Sequence, residues 1–233
     1  MYVVVDAGNT RIKLALFKHD ELVEVLYYSS VDELQQSFTL NAQPTIISSV
    51  LNENETAKLF EYFTNAFSVK ELECSLLLAY ETPESLGQDR LANAVALTKL
   101  ASGNRLSIDM GTCIKFDFVD EKNVYRGGSI APGIQMRFKA MHEFTGKLPL
   151  FEAESPRDFI GKNTKESMQV GVLVAVQKEL EGLIGLYRER YPDLTIFVSG
   201  GDAKHFDFSA KNYIFANENL TLIGLYHILL ENA

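Results

Sequence analysis

A short pattern that occurs twice constrains this chain more than any other feature. Residues 3–17 read VVVDAGNTRIKLALF, and residues 106–119 read LSIDMGTCIKFDFV. Each is an apolar run that ends in Asp-x-Gly and a Thr, then resumes as a second β-rich stretch. Asp6, Gly8 and Thr10 of the first copy answer to Asp109, Gly111 and Thr112 of the second, with Asn9 as one extra residue. A buried strand followed by a glycine-containing hairpin turn accounts for the local pattern. Glycine lets backbone N–H groups approach an anion, an aspartate can hold a cation, and a threonine hydroxyl can donate to an oxygen. Two such turns would clamp the phosphates of a nucleotide. One copy alone reads as a plain hairpin; two copies about a hundred residues apart point to a duplicated nucleotide-binding fold.

A chain of 233 residues has room for one large domain or two of roughly 100–120 residues. The repeat favours two, 1–103 and 104–233, divided where Ser102–Arg105, with Gly103, interrupts the pattern. Apolar residues make up 46% of the chain, enough for a well-formed core. A net charge of −9 argues against a general nucleic-acid or anionic-membrane surface. It does not argue against ATP, because phosphates need local donors and metal rather than global basicity. Cys74 and Cys113 provide no disulfide framework and stand in no CxxC or Cys-His pair, which suits a reducing cytoplasm without structural zinc. The start, MYVVVDAGNT, lacks the features of a signal peptide, and no apolar run approaches the roughly 20 residues of a membrane span. The expectation is a soluble cytoplasmic protein with no nucleic-acid or membrane partner.

Residues 2–5 and 12–17 read as strands, His19–Glu21 as a polar turn, and Leu22–Tyr28 as a third strand of a meander. Val31–Phe38 predicts a short helix capped by Ser30, and Thr45–Val50 a β run. Leu59, Phe60, Phe63 and Phe67 recur at helical spacing and predict a helix over 56–67 with a core-facing stripe. Leu91–Leu100 is a further helix. The second half repeats the plan: strands at 106–109, 114–119 and 124–130, helices at 134–142 and 165–190, a strand at Thr195–Val198 and an apolar helix at Leu220–Leu230. This order fits two layered α/β domains with mixed sheets.

Between the repeats lies a segment running from Tyr80 to Gly87-Gln88-Asp89-Arg90, at the start of the Leu91 helix. Asp89 can cap that helix and Arg90 can make a surface ion pair. Alternatively, Arg90 holds a substrate carboxylate in a two-bond fork and Asp89 accepts a hydroxyl proton. Gly127-Gly128 through Pro132-Gly133, and Ser199-Gly200-Gly201-Asp202, read either as tight strand-to-helix connections or as openings for an adenine ring or a phosphate. Thr164, before the long helix, is an N-cap candidate or a substrate contact. His19, His142, His205 and His227 share no metal-ligand spacing. GxSxG, HExxH and GxxxxGK[ST] are missing, so hydrolase, zincin and P-loop readings lack their signatures.

Taken together these segments resemble the type III pantothenate kinases, of the actin–hexokinase-like phosphotransferase superfamily. Asp6-Ala7-Gly8-Asn9-Thr10 matches the family's first phosphate motif, Gly87-Gln88-Asp89-Arg90 its substrate motif, and Asp109-Met110-Gly111-Thr112 its second phosphate motif. Tyr80, the Gly127–Gly133 segment, Gly161-x-Asn163-Thr164 and Gly200-Gly201 follow in the family's order. The resemblance implies two tandem ribonuclease H-like domains of the actin–hexokinase type, with mixed sheets and flanking helices. It implies ATP-dependent phosphorylation of pantothenate to 4'-phosphopantothenate, the first step of coenzyme A biosynthesis. Asp6, Ala7, Gly8, Asn9, Thr10, Arg11, Ile12 and Lys13 would border ATP, with Thr112 on its phosphates. Tyr80, Gly87, Gln88, Asp89, Arg90 and Thr164 would hold pantothenate, with Asp89 as proton acceptor. Asp109 would help bind a monovalent cation, potassium or ammonium, beside Mg²⁺. The resemblance also implies a homodimer with the substrate pocket near the subunit interface.

One position departs from the family's common pattern. Many members carry a second Thr where this chain has Lys115. That lysine reads either as a solvated strand residue or as an ammonium that partly supplies potassium's charge. Outside this function, another small-molecule kinase or phosphatase of the superfamily, or a non-catalytic nucleotide-binding regulator, fits the phosphate motifs. A pure binding module would have no need of the Asp-Arg pair.

Overall fold

Val3, Val4 and Val5 are completely buried, so the first strand has both faces covered and reads as a continuous apolar run. This strand, β1 (Tyr2–Ala7), forms an antiparallel meander with β2 (Ile12–Lys18) and β3 (Glu21–Tyr28). The β2–β3 turn places His19 at φ 51° and Asp20 at φ 65°, the left-handed pair that a tight hairpin demands. The computed structural model describes residues 1–208 and 213–232. The chain forms two compact units, Met1–Leu100 with Asn219–Ala233, and Ala101–Glu218.

In the first unit, β4 (Thr45–Ser49) pairs parallel with β1, and β5 (Ala66–Ser68) parallel with β4, giving the order β3-β2-β1-β4-β5. Helix α1 (Val31–Ser37) is capped by Ser30, whose hydroxyl accepts the Glu33 N–H. Helix α2 spans Glu53–Tyr62 rather than 56–67, because the Asn52 side chain accepts the Glu55 N–H and starts it early. The predicted aromatic stripe divides at its end. Leu59 and Phe63 are buried, but Phe67 lies on β5 and is 38% exposed. Pairing of residues 66–68 with β4 overrides a helical spacing that fits either structure. A two-residue strand, β6 (Leu77–Leu78), precedes helix α3 (Gln88–Leu100).

The second unit repeats the meander with β7 (Arg105–Met110), β8 (Cys113–Val119) and β9 (Val124–Pro132). Strand β10 (Thr195–Ser199) pairs parallel with β7, and β11 (Ile214–Ala216) parallel with β10, so these strands run β11-β10-β7-β8-β9. Helix α4 spans Ile134–Glu143; α5 (Thr164–Gln169) continues through one π-helical turn into α6 (Ala175–Arg190).

The last helix, α7 (Leu220–Glu231), packs on β1, β4 and α3. The sequence reading gives it to the domain spanning 104–233, whereas the compact units place it with the first hundred residues. Small residues decide this partnership. Helix α3 buries Ala92, Ala94 and Ala96 together with Val95 and Leu97, and a Cβ at Gly224 of α7 would strike the Ala92 backbone. The Thr221 hydroxyl adds a 2.8 Å hydrogen bond to the Asn93 side-chain carbonyl oxygen. Among the described residues no helix is long and apolar enough to cross a membrane.

Candidate active site

The first Asp-Gly-Thr turn is the hairpin between β1 and β2. The Gly8 N–H donates to the Arg11 carbonyl at 3.1 Å, which leaves Asn9, Thr10 and Arg11 exposed at the tip. The Arg11 guanidinium lies 5.2 Å from the centre of the Tyr27 ring. Asp6 and Lys13 stand opposite each other in the ladder, both half-buried. Ala7 and Ile12 point into the core, so any ATP contact they make is through backbone.

The second Asp-Gly-Thr turn, between β7 and β8, is built more tightly. The Gly111 N–H donates to the Cys113 carbonyl, and the Gly133 N–H donates to the Thr112 carbonyl, each at 3.0 Å. A Cβ on Gly133 would collide with the Gly111 and Thr112 carbonyls, and one on Gly200, at φ 91°, with the Met110 backbone. The glycines of the two later motifs therefore let their chains press against this turn. Gly128 plays a similar part in the sheet, where a Cβ would strike the Phe116 backbone. A methyl group added at Gly111 would meet no atom within 4 Å, so that side of the turn is open to an anion.

Asp109, at the end of β7, is paired. Its Oδ2 lies 2.7 Å from the Lys115 ammonium, both side chains being only 15% exposed. The Ser199 hydroxyl donates to Oδ1 at 3.3 Å. Sequence reasoning did not assign Ser199 to this site. Its contact depends on the parallel register Ser199↔Asp109, which joins residues ninety positions apart. Asp202, which the sequence offers only as the end of a glycine-rich connection, has a specific partner here. Burial pushes the Asp202 carboxyl up, opposed by His205, by the Ile134 N–H that donates to it at the start of α4, and by Lys204. Helix α4 has Gly133 at its N-cap and no capping side chain there, so Asp202 supplies the acceptor.

The segment before α3 is a tight turn at a helix start. Gly87 accepts the Leu91 N–H at 3.0 Å and occupies the cap position of the helix. Asp89 accepts the Arg90 N–H at 2.9 Å, and a Cβ on Gly87 would come within 2.7 Å of its carboxylate. Arg90 is not a surface residue. It is 5% exposed, and its guanidinium stands 5.9 Å from the centre of the Tyr80 ring. The Gln88 Oε1 is buried with no hydrogen-bond partner. A buried acceptor left so costs roughly 1–3 kcal/mol, which a ligand donor would recover.

Thr164 is the first residue of α5 and not its cap; Asn163 caps, accepting the Glu166 N–H at 2.9 Å. Asparagine and threonine both suit that position, and the backbone alone decided between them. The Thr164 side chain borders a cavity of about 460 Å³ within the second unit, with Arg137, Met141, Leu148 and Met168. Arg137 is held by Glu179 at 2.8 Å. Among the described residues no group of three or more His, Cys, Asp or Glu is placed to hold a metal ion. Mg²⁺ asks for no such cluster, since it keeps most of its waters and binds through one or two carboxylates and a substrate's phosphates.

The model of the type III pantothenate kinase family matches residues 2–185. A type III pantothenate kinase of Bacteroides fragilis is 40% identical over 240 residues, covering 100% of this chain and 98% of that protein. Among solved structures, a Campylobacter jejuni protein described as a Baf family transcriptional activator superposes with a TM-score of 0.66 at 20% identity, covering 99% of this chain and 98% of the other. An inorganic polyphosphate/ATP-glucomannokinase from Arthrobacter superposes with a TM-score of 0.51 at 9% identity, covering 100% and 99%. The architecture is thus the α/β fold of the actin–hexokinase type, two mixed sheets with flanking helices. With the family model spanning most of its length and a relative matched end to end, the chain belongs to the type III pantothenate kinase family.

Proposed function

We propose that this chain transfers the γ-phosphoryl group of ATP to the primary hydroxyl of pantothenate, forming 4'-phosphopantothenate in the first step of coenzyme A biosynthesis. The observation that carries this reading is the Gly87–Arg90 turn. It combines a buried arginine beside an aromatic ring, a buried amide oxygen without a partner and a carboxylate at a helix start. A nucleotide-binding regulator has no use for that set.

Arg90 binds the pantothenate carboxylate through its planar fork, and Tyr80 and Gln88 border the rest of the molecule. Asp89 accepts the hydroxyl proton and orients the oxygen towards phosphorus. The Gly8–Arg11 turn and Thr112 hold ATP, whose phosphates accept from the turn's N–H groups and from the threonine hydroxyls. Mg²⁺ would supply charge neutralisation of the phosphates, and Asp6, the carboxylate of the first motif, would hold it through its water shell. Positioning and charge neutralisation supply most of the acceleration in phosphoryl transfer, so Asp89 contributes chiefly by alignment. Asp109, which the resemblance assigns to potassium or ammonium, is already neutralised by Lys115. A homodimer is supported by the resemblance and by the apolar side chains that the second unit leaves exposed, Phe144, Phe159, Ile160 and Leu186.

The test is ADP release with pantothenate, compared with other hydroxylated acids. Pantothenate should be preferred. Preference for another alcohol would make the chain a different kinase of the superfamily, and no acceptor-dependent ADP with any of them would leave a nucleotide-binding regulator.

A further inference from the structure

The carboxylate of Asp109 has a tethered cation beside it. In the β7–β8 ladder Asp109 stands directly opposite Lys115, so both side chains leave the sheet on the same face. The ammonium lies 2.7 Å from Oδ2, and the low exposure of both side chains shields the pair from bulk salt. Lys115 is therefore not a solvated strand lysine. The arrangement also recurs. In the first repeat Lys13 stands opposite Asp6 at the matching ladder position, so both phosphate turns grow from an aspartate–lysine pair.

A free monovalent ion at Asp109 would have to lose water and displace an ammonium that the backbone keeps in place. Tethering gives that ammonium an effective concentration on the order of millimolar or higher, with no ion to capture from solution. Its charge sits beside the turn at Gly111, where an added Cβ would meet no atom within 4 Å and an anion has room to approach.

We propose that Lys115 is a built-in cation, which takes at Asp109 the place of a free potassium or ammonium ion and makes the phosphate site independent of either. This rests on the kinase reading, and the experiment separates the two. Wild type, Lys115→Thr and Lys115→Arg are compared in buffers whose only monovalent cation is tetramethylammonium, then with potassium chloride added. Two readouts are taken: calorimetric affinity for a non-hydrolysable ATP analogue with Mg²⁺, and pantothenate-dependent ADP release. Wild type and Lys115→Arg should change by less than about twofold on adding potassium, whereas Lys115→Thr should gain about fivefold or more in both, the range of a real coupling between sites. A wild type that needs potassium for nucleotide affinity overturns the proposal, and it does so even if Lys115→Thr fails to fold. Equal potassium responses in wild type and a folded Lys115→Thr overturn it too. Nucleotide binding that is potassium-independent in the wild type and potassium-responsive in Lys115→Thr, with no pantothenate-dependent ADP in any buffer, would sink the kinase reading and leave Lys115 supported by the affinity data.

Discussion

Asp89 and Arg90 adjoin in sequence but sit in different surroundings, and their substitutions should separate accordingly. Asp89 is half-buried and accepts its neighbour's N–H. Asp89→Asn keeps an acceptor for that N–H but loses the base, so the fold and nucleotide affinity should persist. Turnover should fall by roughly two to four orders of magnitude, the usual contribution of a positioned acid–base group. Near wild-type turnover would leave Asp89 as a helix-start residue. Arg90 is buried against Tyr80, and an ammonium cannot reproduce a two-bond fork on a carboxylate. Arg90→Lys should weaken pantothenate binding by about 1.5–3 kcal/mol, the worth of a charged hydrogen bond, with ATP affinity unchanged. An unmoved pantothenate affinity in titration calorimetry would remove Arg90 from that role.

At the scale of elements, the turn between β7 and β8 is shaped by its neighbours and α7 by its anchors. Gly133 and Gly200 allow the start of α4 and the end of β10 to press on residues 110–112, so this turn is held from two sides. At the end of α7, Glu231 accepts from the Ser75 N–H and hydroxyl and pairs with Lys99 of α3 at 3.1 Å. Burial pushes its carboxyl up, but Ser75 and Lys99 outweigh that and hold it below the ordinary value of 4.5. A depressed folded pKa means stability that is complete above the unfolded value and is lost as pH falls through the folded one. Glu231→Gln should therefore destabilise by about 1–2 kcal/mol at neutral pH, and the difference should shrink as the pH drops below the ordinary glutamate range. Thermal melts of both proteins at neutral and acidic pH check this; a pH-independent difference would assign the loss to packing.

For the whole molecule, the exposed apolar residues of the second unit are the feature that a single chain leaves unexplained. Phe144 is 85% exposed and Phe159 is 72% exposed, with Ile160 next in sequence. Exposed apolar side chains of this size commonly mark an interface. Sedimentation velocity should give twice the chain mass at micromolar concentration, and Phe159→Asp with Ile160→Asp should move the population towards single chains without lowering the melting temperature of the monomer core. A single-chain mass for the wild type would return these residues to ordinary surface.

Much of this protein is legible in its residues because strands, hairpins and capped helices are local. The runs of buried strand residues, the polar turn at His19–Glu21 and the Ser30 cap all follow from neighbours within a few positions. The same holds for the order of the Asp-Gly-Thr and Gly-Gln-Asp-Arg motifs, which carries the family. Contacts between distant segments were not legible. The sequence pattern of residues 56–67 fits a helix, yet β4 captures Phe67. The composition of α7 shows that it is buried, but only tertiary contacts, Gly224 against Ala92 and Thr221 on Asn93 among them, show on which unit. Lys115 is the sharpest case. A tight hairpin already sets it opposite Asp109, but whether its ammonium meets that carboxylate or solvent depends on what closes the site. Ser199 arrives there from β10 by parallel pairing with β7, a neighbour that no spacing in the sequence reveals.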